Sequence, residues 1–499
     1  MDHVNVIIVG AGLSGVGAAA HLVEQCPEKT FTLLEGRAAV GGTWDLFRYP
    51  GIRSDSDMHT LGYSFKPWTQ AKSIADGPSI RDYVNETADE FDIRRHIRFD
   101  HKVQTASWDS TQSHWVLTSN LSDGSTTKIS GDFLFMCGGY YSYDDPHRPE
   151  FPGESRYQGQ VLHPQFWPED LDYEGKKVIV IGSGATAMTI VPSMTQKGAQ
   201  VTMVQRSPTY VVSRPAEDKI ANTLRKWLPE KWAYAITRLK NTTLSGYFYR
   251  QTRSQPAKTK AQLLGMATAN LGEEMVKAHF TPSYNPWDQR MCLIPDGDLY
   301  QSINEGSAQV VTGDIETWTE QGLVMKDGTE VTGDIIVTAT GITLTVMSGI
   351  AFDLDGTAIN FPDTFTYKGM MYSGIPNMAQ TFGYINASWT LRADLTAEYV
   401  CRLLNHMTAH QQAVATPTLR PEDANMPTGD WIQDFSAGYM RRMMHLFPKQ
   451  GQGPWRNTQD YKLDKKMIRR APIEDGVLVF TDAGNLAPAM DSPALTKVA

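Results

Sequence analysis

The chain has 499 residues, 46 Lys and Arg against 55 Asp and Glu, a formal charge of −9, and is 41% hydrophobic and 20% charged. That composition excludes a disordered or fibrous chain, and the acidic balance, with basic residues at most in short pairs such as Arg94-Arg95, argues against a nucleic-acid partner. Cys26, Cys137, Cys292 and Cys401 share no close spacing, so there is no disulfide framework, zinc site or CxxC redox pair, and a cytoplasmic protein with reduced thiols is expected.

The first predicted element is a buried strand over Val4-Asn5-Val6-Ile7-Ile8-Val9, a short β-branched run followed at once by Gly10-Ala11-Gly12-Leu13-Ser14-Gly15 and then a helix from Val16 to Glu24. Each glycine has a task in that setting: Gly10 makes the tight turn, Gly12 lets backbone approach a pyrophosphate, and Gly15 packs helix on strand. A second strand, Phe31 to Leu34, ends at Glu35, twenty residues after Gly15, the spacing at which an acid reaches a ribose hydroxyl. The signature is that of a dinucleotide with a free 2′-hydroxyl, such as FAD.

No apolar run near the start approaches the roughly 20 residues of a membrane span, and no basic region precedes Val4, so neither a span nor a signal peptide is read. The strand, glycine and helix pattern returns at Lys177 to Ile181, Gly182-Ser183-Gly184-Ala185-Thr186-Ala187 and a helix to about Gln196. Alanine takes the third glycine position, and after the strand Val201 to Val204 comes Gln205-Arg206-Ser207, with no acid. An arginine pairs with a 2′-phosphate that a carboxylate would repel, which points to NADP. Residues 216 to 280 read as amphipathic helix, with Trp227, Trp232, Tyr234, Tyr247 and Phe248 among Leu, Lys and Arg, and are taken as cover for a substrate site rather than a membrane-surface helix. Gly333 to Gly341 reads as a buried strand and tight turn close to a cofactor. Further on, His406 and His410 stand four apart, but Met407 occupies the glutamate position of HExxH, and no metal is expected.

Together these residues resemble the class B flavin monooxygenases, and among them the type I Baeyer–Villiger monooxygenases. The family fingerprint FxGxxxHxxxWP stands here as Tyr157, Gly159, His163 and Trp167-Pro168, with Tyr for Phe as the only departure. A second family stretch is Gly41-Gly42-Thr43-Trp44-Asp45-Leu46-Phe47-Arg48-Tyr49-Pro50-Gly51-Ile52-Arg53-Ser54-Asp55, and Asn285 to Arg290 resembles the ethionamide-activating branch. The resemblance implies an α/β fold with two Rossmann-like dinucleotide-binding domains and a helical insertion in the NADP domain: FAD domain 1–143 and 337–499, NADP domain 144–215 and 283–336, insertion 216–282.

It further implies that Ser14, Thr43, Trp44, Asp45, Leu46, Asp55 and Val103 join the FAD contacts. Arg53, Ser54, Asp55, Gly182 to Met188 (including Ser183, Gly184, Ala185, Thr186 and Ala187), Arg206 and Ser207 would contact NADP. Arg290 matches the active-site arginine, oriented by Asp55, while His163 reads as a hinge or structural residue. Gln289 stands where better-known ketone monooxygenases carry a lysine on the 2′-phosphate. The implied reaction uses NADPH and O2 to turn ketones into esters or lactones through a C4a-peroxyflavin, with S-oxidation of sulfides or thioamides as a side activity. The rival readings are a monooxygenase acting mainly on N and S, a disulfide reductase, which lacks its cysteine pair, and a non-catalytic redox sensor. Substrate identity and oligomeric state are not legible.

Overall fold

A computed structural model describes residues 1–433 and 435–482. The β-branched run at the start forms the strand Asp2–Val9, which lies inside a nine-stranded sheet, paired in parallel with Phe31–Leu34 on one side and Thr126–Met136 on the other. Val6 sits opposite Phe31 and Phe133, and Val6, Ile7 and Ile8 have no exposed surface, as a strand covered on both faces requires. The strand Thr126–Met136 also carries the antiparallel meander Lys102–Asp109 and His114–Asn120, and Met378–Gln380 from late in the chain pairs with its end. On one face the helix Leu13–Gln25, buried through Leu22, packs on Trp389–Ala409. The ends of the chain therefore build one unit.

The second unit is a five-stranded parallel sheet in the order Ala308–Thr312, Gln200–Gln205, Lys177–Ile181, Ile335–Thr338 and Gln160–Leu162. The helix Ala185–Thr195 covers it, and a three-stranded antiparallel sheet, Ile315–Thr319, Gly322–Met325 and Glu330–Thr332, precedes its strand Ile335–Thr338 in the chain. Four helices, Lys219–Trp227, Glu230–Ser254, Pro256–Leu271 and Glu273–His279, fall inside the expected insertion 216–282. The α/β fold with two Rossmann-like sheets is thus the one expected.

The units are joined by a two-stranded antiparallel ribbon, Tyr141–Pro146 against Ile342–Leu344. This corrects the expected division at residue 337. Ile335–Thr338 pairs with both Lys177–Ile181 and Gln160–Leu162, so Val337 and Thr338 belong to the second sheet and the chain crosses back after them. The physical reason is burial: all four residues of this strand are covered, and the cover comes from the second sheet's neighbours.

Candidate functional site

The two glycine turns end their strands toward a common space. Gly10 has φ +100°, and a Cβ there would lie 2.8 Å from the carbonyl oxygen of Cys137; a Cβ on Gly15 would lie 1.8 Å from that of Gly10. Only glycine fits either position without moving backbone. Gly12 is the N-cap of Leu13–Gln25 and no side chain caps that helix, so its first amide N–H groups are left to face the cavity. Glu35 is 6% exposed. Ala11 N–H donates to its Oε2 at 2.7 Å and Arg37 N–H to its Oε1 at 3.0 Å. Burial pushes this carboxyl above the usual carboxylate range, against the pull of those two amides.

In the second unit, Gly182 turns beneath Ala339, whose carbonyl oxygen would stand 2.3 Å from an added Cβ. Gly184 is the N-cap of the uncapped helix Ala185–Thr195, and a Cβ there would meet no atom within 4 Å, so open space lies before these amides. Ser183 Oγ donates to the Ser207 carbonyl at 3.0 Å, holding the two predicted contact loops together. Arg206 is exposed at the end of Gln200–Gln205. Both turns therefore offer what a pyrophosphate needs, with a carboxylate beside the first and a guanidinium beside the second.

A cavity of about 750 Å³ joins them. Of the predicted residues, Gly10, Gly12, Ser14, Glu35, Thr43, Trp44, Arg53, Ser54, Asp55, Val103, Ser183, Gly184, Ala185, Thr186, Ser207 and Arg290 line it. Gly15, Gly182, Ala187 and Met188 stand behind the wall as packing residues, Leu46 packs in the first unit's core, and Arg206 lies outside the lining beside Ser207. Asp45 also stands back: its carboxylate accepts from Arg37 and Arg48, each at 2.6 Å. Ser14 Oγ is taken by the Trp389 indole N–H at 2.7 Å, and Thr43 Oγ1 lies 2.6 Å from the Tyr141 hydroxyl.

Where the walls of both units meet, Asp55 and Arg290 line the cavity with their side chains exposed to it. Burial raises the Asp55 carboxyl, with Arg290 and then Arg53 drawing it back. Burial alone would lower Arg290, but Tyr439, Tyr140 and Asp55 outweigh it and hold the guanidinium above its ordinary value, so it stays charged. Asp55 and Arg290 sense each other's charge without an ion pair between them among the described residues, so the expected hydrogen bond is not formed here. Arg53 is ion-paired instead with Asp298, at the head of the helix Asp298–Asn304 in the second unit.

Arg290 follows a tight turn. Trp287 has φ +70°, Asn285 N–H donates to Asp288 Oδ2 at 3.1 Å, and Arg253 of Glu230–Ser254 donates to Asp288 Oδ1 at 2.6 Å. The Ser436 amide donates to the Asp288 carbonyl at 2.7 Å. Sequence reasoning missed Tyr140 and Tyr439, which face Arg290. The first had a signal, since an aromatic pair follows Gly138-Gly139 at the end of a buried strand; the second lies in the C-terminal stretch, where no motif marks it. The fingerprint itself is structural: Tyr157 Oη donates to the Gly333 carbonyl at 2.8 Å, Trp167 is buried in the second unit, and His163 Nδ1 accepts from Gln165 N–H at 3.2 Å.

Residues 3–348 match the family model described as flavin-binding monooxygenase-like. The chain is 49% identical to the FAD-containing monooxygenase EthA of Mycolicibacterium smegmatis over 485 residues, 96% of this chain and 97% of that one. It is 48% identical to the EthA of Mycobacterium tuberculosis H37Rv over 482 residues, 96% and 98% of the two chains. A solved structure of an oxidized steroid monooxygenase bound to NADP shares the fold, with a TM-score of 0.76 at 23% identity over 96% of this chain and 100% of that one.

Proposed function

The chain belongs to the flavin-binding monooxygenase-like family, and on that premise we propose that it is an FAD- and NADPH-dependent Baeyer–Villiger monooxygenase. The net reaction takes a ketone, O2, NADPH and a proton to an ester or lactone, NADP+ and water. S-oxidation of sulfides and thioamides is its side activity. The observation that carries this reading is the charged Arg290, lining one cavity together with Asp55, Tyr140 and Tyr439 where the two phosphate-binding turns meet.

The fit of the cofactors rests on residues present. The amide end of Leu13–Gln25 with Glu35 suits a pyrophosphate and a ribose, hence FAD. The amide end of Ala185–Thr195, the space before Gly184 and Arg206 suit NADP, with Gln289 weakening the preference for NADPH over NADH. Bound flavin supplies acceptance of hydride from the nicotinamide and activation of O2. The protein's part is placement and charge: Arg290 donates toward the negative charge that develops on the substrate's carbonyl oxygen, and it does so without losing a proton. Asp55 sets a negative charge near that guanidinium, which favours its charged form. Tyr140, stacked on Trp389 with ring centroids 5.1 Å apart, helps to keep water from the reacting atoms.

Removing a preorganised donor of this kind costs about 10²–10³ in rate. Arg290→Ala is therefore expected to purify yellow with bound FAD and to lose ester formation by that factor, read as product per unit time with a methyl ketone. An Arg290→Ala enzyme making ester at the wild-type rate contradicts the assignment.

A further inference from the structure

The helices Lys219–Trp227 and Glu230–Ser254 are amphipathic in the inverse sense. Their polar side chains point inward: Arg238 donates to the carbonyls of His59 and Gly62 at 3.0 and 2.7 Å and pairs with Asp394 at 3.0 Å, Asn241 donates to Asp57 at 2.8 Å, and Lys240 pairs with Asp218 at 2.7 Å. Several of their large apolar side chains point outward, Tyr234 being buried instead. Trp227 is 83% exposed, Trp232 and Leu239 are each 66% exposed, and Ile236 and Tyr247 continue the same outer side as Trp232. Exposed apolar surface gathered into one continuous stripe marks an interaction face.

The charge on this face is as uneven as its hydropathy. Between residues 219 and 260 the chain carries ten basic residues and one acid, Glu230, although the whole chain has a formal charge of −9. Half of those cations are spent inward, for example Arg225 on the Trp68 and Gln70 carbonyls and Arg253 on Asp288. Lys219, Lys226, Lys231, Arg250 and Lys258 are exposed and form no ion pair among the described residues. Trp227 and Trp232 flank the turn at Leu228-Pro229, with Lys226 and Lys231 beside them.

We propose that this face docks on an anionic lipid bilayer surface, with Trp227, Trp232 and Leu239 in the headgroup boundary and the free lysines on lipid phosphates. The charge selects this occupant. A second copy meeting the face by two-fold symmetry would set Lys226 and Lys231 against their own counterparts, whereas anionic headgroups complement them. No described helix is long and apolar enough to cross a membrane, so the contact lies in the plane of the surface. The same helix carries Arg253 in its last turn, which holds the Arg290 turn through Asp288, so one helix links the docked face to the cavity wall. The inference goes beyond the proposed reaction and does not depend on which substrate is oxidised.

The test is flotation of the full FAD-loaded protein with vesicles of phosphatidylcholine alone and with an equal share of phosphatidylglycerol, together with its oligomeric state. The wild type is expected to float with the anionic vesicles and to be released by salt. Each lost lysine costs about fivefold in partitioning, so Lys226→Ala with Lys231→Ala lowers it about 25-fold. Trp227→Ser with Trp232→Ser lowers it at least about tenfold. Both pairs keep FAD content and turnover of a soluble substrate, since neither touches the cavity. Three outcomes overturn the proposal: a yellow, active wild type that stays with the buffer, binding that these substitutions leave unchanged, or a dimer that the tryptophan pair abolishes while vesicles bind nothing.

Discussion

Glu35 and Arg206 follow corresponding strands in the two units, and under the proposed function the difference of charge suits the first to FAD and the second to NADP. The place of Glu35 beside the first glycine turn was legible because strand, glycines and acid keep a fixed spacing along the chain. Tyr439 was not legible, because its place beside Arg290 is set by the return of the C-terminal segment to the cavity, a contact across about 150 residues that no periodicity encodes. His163 lies between. Its spacing in the fingerprint was readable, but its environment was not: burial first, and then Arg148, push its pKa from 6.5 to about 4. A base whose folded pKa is depressed leaves the unfolded chain binding the proton first. Stability contributed by the neutral ring is present above about pH 6.5 and is lost as pH falls toward 4. His163→Gln is therefore expected to flatten the fall of the melting temperature between those limits, measured as the pH profile of both proteins. Parallel profiles contradict this account.

Elements place the site more than any one residue does. The turn 285–290 is pinned by Arg253 from the insertion and Ser436 from the C-terminal segment, and Trp287 is held at φ +70° within it. The Arg253 to Asp288 pair has both side chains 30% exposed, so it adds little to stability. Its weight lies in position, since a misplacement of about 1 Å costs up to 10²-fold in rate. Arg253→Ala is expected to lower kcat for a ketone about tenfold with the melting temperature almost unmoved, and Arg253→Lys to restore part of it. Unchanged kcat in Arg253→Ala contradicts a positioning role. The stretch from 216 to 280 read in the sequence as amphipathic helix, but periodicity does not tell which side turns inward. Polar Arg238 and Asn241 face the protein while Trp232 and Leu239 face out, the reverse of an ordinary surface helix.

For the whole molecule, the two sheets and their glycine turns follow from β-branched runs and from positions where backbone tolerates no Cβ, so the fold class was fixed by local chemistry. The crossing after Thr338 was misplaced by two residues because a buried strand reads alike whichever sheet covers it. Under the proposed function both units act together: reducing power enters at the second nucleotide turn, and one atom of O2 is placed beside a ketone carbonyl held by Arg290. The direct measurement is NADPH-driven turnover of a medium-chain methyl ketone under ¹⁸O₂, with mass spectrometry of the product. An ester carrying one labelled oxygen is predicted; no ester, with a labelled sulfoxide formed from a thioether under the same conditions, would contradict the claim and place the enzyme with the oxidants of sulfur and nitrogen.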